Sequence, residues 1–304
     1  MNPLAISDLT KNFGDVRALR GVSFAVAPGE IFGYLGPNGA GKTTTLRIIL
    51  GLVRATSGNV LLSGRAPADA ASRLDIGFIP GDLRLYGDMT ALATLDFFAR
   101  FRRKEPMLRQ RLLDAFGLDG ATLKRRVKFL SHGTRQKVGL IAAMQHDPAL
   151  LLLDEPSNGL DPLVQQAFRE TLRDFAARGR SVVLSSHILS EAESVCGRVA
   201  IIRQGEIVAL ESIEHLRANV VRKLTARFRG NAPDLSTVPG VSRAEIRGDE
   251  AVLWLRGDPA PILKAIAGAD VRDIVFPEPE LEDIFLGYYQ SESPTSPRPT
   301  VSDA

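Results

Sequence analysis

At 304 residues the chain is long enough for one large domain and a second, smaller one, and its apolar and charged fractions are those of an ordinary globular protein. A net charge of only +3 says little about nucleic acid, none of which is expected as a partner, and the arginine-rich stretches 100–104 and 124–128 read as solvated helix faces ahead of a contact with anionic lipid or RNA. A single cysteine, Cys196, excludes an internal disulfide and suits a reducing compartment; with no signal-peptide pattern and no 18-residue apolar run, any membrane role is expected to come through a partner.

In chain order, Leu4, Ile6 and Leu9 begin a strand. The apolar run 31–35 reads as another strand, and Leu46, Ile48, Ile49 and Leu50 as the buried side of a helix. Between them lies GPNGAGKTT, residues 36–44, which fits G-x-x-x-x-G-K-[ST] with Gly36, Gly41, Lys42 and Thr43 in the fixed positions and Pro37, Asn38, Gly39, Ala40 and Thr44 completing the stretch. Glycines let backbone N–H groups curl around a phosphate, and a helix N-terminus adds partial positive charge. Lys42 can reach the β- and γ-phosphates of a nucleoside triphosphate, and the Thr43 hydroxyl can ligate Mg²⁺.

Short strands follow at 58–62 and at 76–79, the second ended by Pro80-Gly81. From Thr90 to about Ala143 the pattern turns helical, with Leu92, Leu95, Phe98 and Ala99, then Leu108, Leu112, Leu113 and Phe116, at helical spacing. Strand signals return at 150–153, 181–184 and 199–203, separated by helical stretches, and Gln204-Gly205 turns into 207–210. Alternation of this kind predicts an α/β fold: a parallel sheet with a helical subdomain inserted at about 88–145, in a domain spanning 1–218. Near residue 220 the composition shifts. Strands at 224–228, 251–255 and 271–276, with helices at 261–267 and 281–289, predict a small α+β domain over 219–290, and the Ser/Pro/Thr-rich tail 291–304 is expected to be disordered.

Two further stretches carry chemistry. Four leucines at 150–153 end in Asp154, Glu155 and Pro156, so a buried strand delivers one carboxylate that can orient Mg²⁺ through water and a second that can polarise an attacking water. Just upstream, Ser131-His132-Gly133-Thr134 opens a helix. Ser131 is a good N-cap; a hydroxyl and a glycine backbone at a helix N-terminus also make a second phosphate site, one that serves another subunit's nucleotide.

With these residues in order, residues 1–215 resemble the ATP-binding subunit of an ABC transporter, a P-loop ATPase. The resemblance implies a Walker A loop at 36–43, Walker B at 150–154, Glu155 as the catalytic glutamate, Ser131 and Gly133 as the signature motif, and the 157–161 loop, ending in Asp161, as the segment crossing a dimer interface. It further implies that His187 contacts the γ-phosphate and that Phe13 stacks on adenine, although by itself Phe13 reads as a core residue. Lys42, Glu155 and His187 would then be catalytic, Thr43 and Asp154 would hold Mg²⁺, and two copies would close on two ATP molecules.

The chain departs from the family form in two places. His132 and Thr134 stand where the signature has Gly and Gln. Pro80-Gly81-Asp82 stands where a magnesium-ligating glutamine is usual, which leaves either water or Asp82 as the replacement. The C-terminal run from Pro277 to Phe285 is similar to bacterial exporter subunits of the drug-resistance and nodulation-factor type. That implies a separate ABC-2 class permease, a place at the cytoplasmic face of the cell membrane, and a cargo of drug, lipid, polysaccharide or ion. Tyr86, Met89, Phe97, Phe98 and Phe101 are the expected permease-facing patch. A soluble ABC ATPase acting on ribosome or DNA is the alternative; a P-loop kinase or GTPase leaves the signature and His187 unexplained.

Overall fold

In the structure, a computed structural model that describes residues 1–102, 104–218 and 221–277, the chain opens with β1 (Leu4–Phe13) and β2 (Val16–Val26), paired antiparallel. There follow β3 (Ile31–Leu35), α1 (Lys42–Ile49), β4 (Ser57–Leu62), α2 (Ala70–Arg73) and β5 (Ile76–Ile79). The helices α3 (Ala91–Arg102), α4 (Arg109–Ala115), α5 (Gly120–Lys124) and α6 (His132–Met144) come between β5 and β6 (Leu150–Asp154). After them run α7 (Pro162–Ala177), β7 (Ser181–Ser186), α8 (Leu189–Glu193), β8 (Arg198–Arg203) and β9 (Glu206–Ser212).

The central sheet has the order β5-β6-β7-β3-β8-β9. Its β5–β6, β6–β7, β7–β3 and β3–β8 pairs are all parallel, so the carboxyl ends of five strands open on one edge. That edge is where ligands bind in open α/β sheets. Strands covered on both faces read as continuous apolar runs. Every residue of β3, β6 and β7 is buried accordingly, and each leucine of 150–153 contributes about 1.5–3 kcal/mol by leaving water. Gln204 and Gly205, both at positive φ, make the two-residue turn from β8 into β9.

A second, antiparallel sheet of order β2-β1-β4 packs its inner face on β3 and α1; Phe24 stacks on Phe32 with ring centroids 5.0 Å apart. Its first strand is foreshadowed by Leu4, Ile6 and Leu9. β2 is not, because Gly21 at φ +97 and the register shifts along β1 interrupt the alternation that would betray it. Within the insertion, α3 and α4 pack on α6, and α6 in turn on β5.

The chain divides into two compact units, Met1–Leu210 and one opening at Glu211. The second holds α9 (Ile213–Ala218), β10 (Arg222–Phe228), β11 (Val241–Arg247), β12 (Glu250–Leu255), α10 (Ala260–Ala267) and β13 (Val271–Val275). Its four strands form an antiparallel sheet of order β11-β12-β10-β13 around Leu224, Phe228, Leu253, Ile262 and Ile266. The helix expected at 281–289 and the tail 291–304 lie outside the described residues.

Candidate active site

The site assembles at the carboxyl edge of the central sheet. β3 runs out at Leu35, paired with Ser186, and the Gly36 amide donates to the Ser186 carbonyl at 3.2 Å. Residues 36–41 then wrap to α1, with Pro37, Asn38 and Gly39 exposed at the mouth and Ala40 buried beneath. Gly41 sits at φ +113, and a Cβ there would meet Ala18 O at 2.9 Å, so only glycine fits. No side chain caps α1 at Gly41, which leaves the first-turn N–H groups to an anion. Tyr34, buried on β3, bonds Thr45 through their hydroxyls at 3.1 Å and holds α1 to the sheet.

Lys42 is 6% exposed and its Nζ donates to Gly36 O at 2.5 Å and to Pro37 O at 3.3 Å. Glu155 Oε1 stands 3.6 Å from the same Nζ. Burial lowers the lysine's pKa, and the charges of Glu155 and Asp154 work against that shift. A cation in this position needs a negative partner. Thr43 Oγ1 donates to Asp154 Oδ2 at 2.9 Å, and Ser185 Oγ donates to Asp154 Oδ1 at 2.8 Å. Thr44 is half-buried.

Glu155 follows β6 in a left-handed conformation, φ +50, which costs a non-glycine residue about 1–3 kcal/mol. Its amide is held by Ser185 O at 2.9 Å, and the turn aims the carboxylate at His187, whose Nδ1 lies 2.7 Å from Glu155 Oε2. The register explains the meeting: Asp154 pairs with Ser185, so the residues just past β6 and β7 arrive side by side. Among the described residues Glu155 Oε1 is buried without a hydrogen-bond partner. Thus Lys42, Thr43, Asp154, Glu155 and His187, drawn from three separate sequence stretches, form one constellation.

The remaining expected residues stand apart from it. Ser131 is the N-cap of α6; its hydroxyl accepts from the Thr134 amide at 3.2 Å and bonds the Thr134 hydroxyl at 2.8 Å. Gly133 abuts Gly159, and Asp161 caps α7 by accepting from the Val164 amide at 3.0 Å. Among the described residues, no hydrogen bond of Ser131 or Asp161 goes to 36–44, Asp154, Glu155 or His187. Phe13 ends β1 half exposed, outside the core, with Lys11 Nζ 4.7 Å from its ring centroid. Asp82 is exposed and paired with Arg84, 2.7 Å between Oδ2 and Nη2, while a Cβ at Gly81 would stand 3.6 Å from Asp154 Oδ2.

Sequence reasoning missed Ser185, Ser186 and Glu191. Glu191 accepts from Ser186 Oγ at 2.6 Å and from Ser157, tying the loop after Glu155 to the end of the strand just before His187. Burial raises its pKa, and those two hydroxyls oppose the shift. The available signal was two serines following the apolar run 182–184 at the end of the strand, just before His187.

Compared with known proteins, a model of the ABC transporter family matches residues 19–158. The chain is 35% identical over 292 residues to the Nod factor export ATP-binding protein I of Rhizobium meliloti, covering 92% of this chain and 86% of that one. It is 32% identical over 292 residues to the Nod factor export ATP-binding protein I of Cupriavidus pinatubonensis, covering 93% and 89%. Among solved structures it is similar to an ATP-binding subunit of an ABC transporter, TM-score 0.66 at 32% identity, over 70% of this chain and 91% of that chain. It also shares the fold of a dimeric bacterial ABC transporter cassette, TM-score 0.62 at 24% identity, over 69% and 98%. The glycine-rich loop 36–44, the paired carboxylates and these matches agree: the chain belongs to the ABC transporter ATP-binding family, whose reaction is the hydrolysis of ATP.

Proposed function

We propose that this chain is the ATP-hydrolysing subunit of an exporter whose membrane-spanning part is a separate ABC-2 class polypeptide, and that two copies work together at the cytoplasmic face of the cell membrane. The observation that carries the catalytic part is the Glu155 carboxylate, held between Lys42 and His187 one residue beyond Asp154. Export is supported by relatives named as export ATP-binding proteins that match over nine-tenths of the chain, the second unit included. Among the described residues no helix is long and apolar enough to cross a membrane, which agrees with a separate permease.

When ATP enters, its phosphates occupy the loop 36–44 and take over as the negative partner that buried Lys42 requires. Glu155, released from Lys42, keeps its bond to His187 and accepts a hydrogen bond from the attacking water. His187 steadies the transferred phosphoryl group. Thr43 Oγ1 and Asp154 Oδ2, hard oxygen donors 2.9 Å apart, fit Mg²⁺, which when bound neutralises charge developing on the phosphates. With Asp82 turned to Arg84, water rather than Asp82 takes the place beside Gly81. Ser131 and Gly133 serve the second copy's ATP, with Asp161 at the interface and Phe13 free to stack on adenine.

The permease meets the aromatic surface of α3. Tyr86 and Phe101 are 63% and 71% exposed, Phe97 lies edge-on to Tyr86 with centroids 5.7 Å apart, and a 530 Å³ groove runs along Met89, Ala93, Phe97 and Phe101. Exposed aromatics gathered in this way mark an interaction surface.

Glu155→Gln tests the catalytic reading. It keeps the size and removes the charge, so hydrolysis should fall by about 10²-fold or more while ATP still binds, trapping an ATP-bound pair of copies detectable by light scattering. Turnover at the unsubstituted rate would take Glu155 out of the mechanism.

A further inference from the structure

The segment 156–161 leaves Glu155 and runs to the N-cap of α7, and the first turns of α6 hold it at three points. Buried Gln136 donates Nε2 to Pro156 O at 2.8 Å. Gly133 approaches so closely that a Cβ there would meet Gly159 O at 2.6 Å. The imidazole of His132 covers Gly159 itself: a Cβ on Gly159 would fall 2.7 Å from ring Cε1 and closer still to Nδ1. Gly159 lies at φ +78, where glycine turns freely. His132 and Gly159 are both exposed, so this is a surface contact between two segments that flank the site, and not core packing.

We propose that His132 is a positioning residue: its ring wedges against Gly159 and sets the spacing between Ser131, at the N-cap of α6, and the segment that begins at Glu155. The inference rests on the reading that Ser131 meets a nucleotide bound by the second copy. Each chain then gives Ser131 to one ATP and Glu155 to the other. The His132–Gly159 contact is the link, within one chain, by which docking of Ser131 on the first ATP sets the carboxylate facing the second. Among the described residues no hydrogen bond or ion pair of His132 goes to residues 36–44, so the wedge governs kcat and leaves ATP binding alone. A shift of the segment by an ångström is enough to matter, because catalytic geometry tolerates little displacement.

A rescue experiment on the full chain tests this. ATP turnover, binding of a fluorescent ATP analogue and thermal melting are measured for His132→Gly, Gly159→Ala, the double variant and Ser131→Ala. Gly159→Ala drives a methyl into the ring and should lower kcat about tenfold with binding retained; His132→Gly should lower kcat by about threefold or more. The double variant keeps the backbone strain of alanine at φ +78 but has no ring to strike, and should recover about threefold or more over Gly159→Ala. A double variant no faster than Gly159→Ala, or His132→Gly with unchanged kcat, overturns the wedge. Should Gly159→Ala fail to fold, the kcat of His132→Gly decides alone. Loss of turnover in Ser131→Ala without rescue in the double variant sinks the wedge and leaves the two-copy reading standing; full turnover in Ser131→Ala removes that reading and the wedge with it.

Discussion

Gly81 leaves an opening beside a carboxylate that is already engaged on both oxygens. Asp154 receives Thr43 on one oxygen and Ser185 on the other, and nothing from residue 81 reaches it. A side chain added there would first meet Asp154, at 3.6 Å, an ordinary contact distance. Gly81→Gln should therefore be accommodated without loss of melting temperature and, on the reading proposed above, should lower the Mg²⁺ concentration needed for half-maximal turnover, since an amide oxygen would stand where water is proposed. Asp82→Ala should leave that concentration where it is, because Asp82 is occupied with Arg84. A magnesium titration of both variants checks this; a higher requirement in Asp82→Ala would make Asp82 the ligand. At this same scale the sequence was informative about residue types and silent about their pairing. Lys42, Asp154, Glu155 and His187 stand out by motif, but only the parallel register of β6 and β7 sets Glu155 against His187, and the Ser157–Glu191–Ser186 bridge has no motif to announce it.

Among the elements, α3 shows how one helix serves two surfaces. Thr94, Leu95 and Ala99 are buried toward α6, while Phe97 and Phe101, a turn apart, stack at 6.4 Å on the outside and continue through Phe97 to Tyr86. Tyr86→Glu places a charge on that surface without touching the nucleotide loop. Basal ATP hydrolysis of the chain alone should be retained, while stimulation by the permease and export fall; full transport by this variant, measured in vesicles, would move the docking surface elsewhere. Periodicity marked α3, α4 and α6 because their buried residues repeat at helical spacing over several turns. It did not mark β11. That edge strand carries Arg243, Glu245 and Arg247, buries little, and so offers no alternation strong enough to read.

At the scale of the whole molecule, stability depends on the seam where the helical insertion returns to the sheet. His146, between α6 and β6, is 2% exposed, and among the described residues neither ring nitrogen has a partner in hydrogen-bond geometry. Burial pushes its pKa down to about 4, helped by Arg102 and Lys104 at the end of α3 and opposed by Asp75 and, weakly, the Ile76 backbone. The unfolded chain binds this proton near the ordinary histidine value of about 6.5, so the folded state binds fewer protons between the two values. The neutral ring's contribution is therefore fully present above pH 6.5 and is lost as pH falls toward 4, a loss of no more than about 3 kcal/mol. His146→Leu should melt with a visibly smaller drop between pH 7 and pH 4.5 than the unsubstituted chain. Equal drops in a pair of pH-resolved melting curves would clear His146 of the effect.

What the amino-acid sequence determined by itself is what local pattern carries. The strands 31–35, 150–153 and 181–184 are apolar runs buried on both faces, the loop 36–44 has its glycines and lysine at fixed spacing, and Ser131 is an N-cap recognisable from its neighbours. What only the tertiary structure decided is what depends on residues far apart in the chain. The order β5-β6-β7-β3-β8-β9 brings Lys42, Glu155 and His187 to one edge, the antiparallel sheet with β2 covers α1, and His132 comes to rest on Gly159. The physical reason is range: spacing along a strand or helix is set by backbone geometry that any few residues disclose, whereas strand order and the meeting of loops follow from how separate apolar faces bury one another, and no short stretch contains that information.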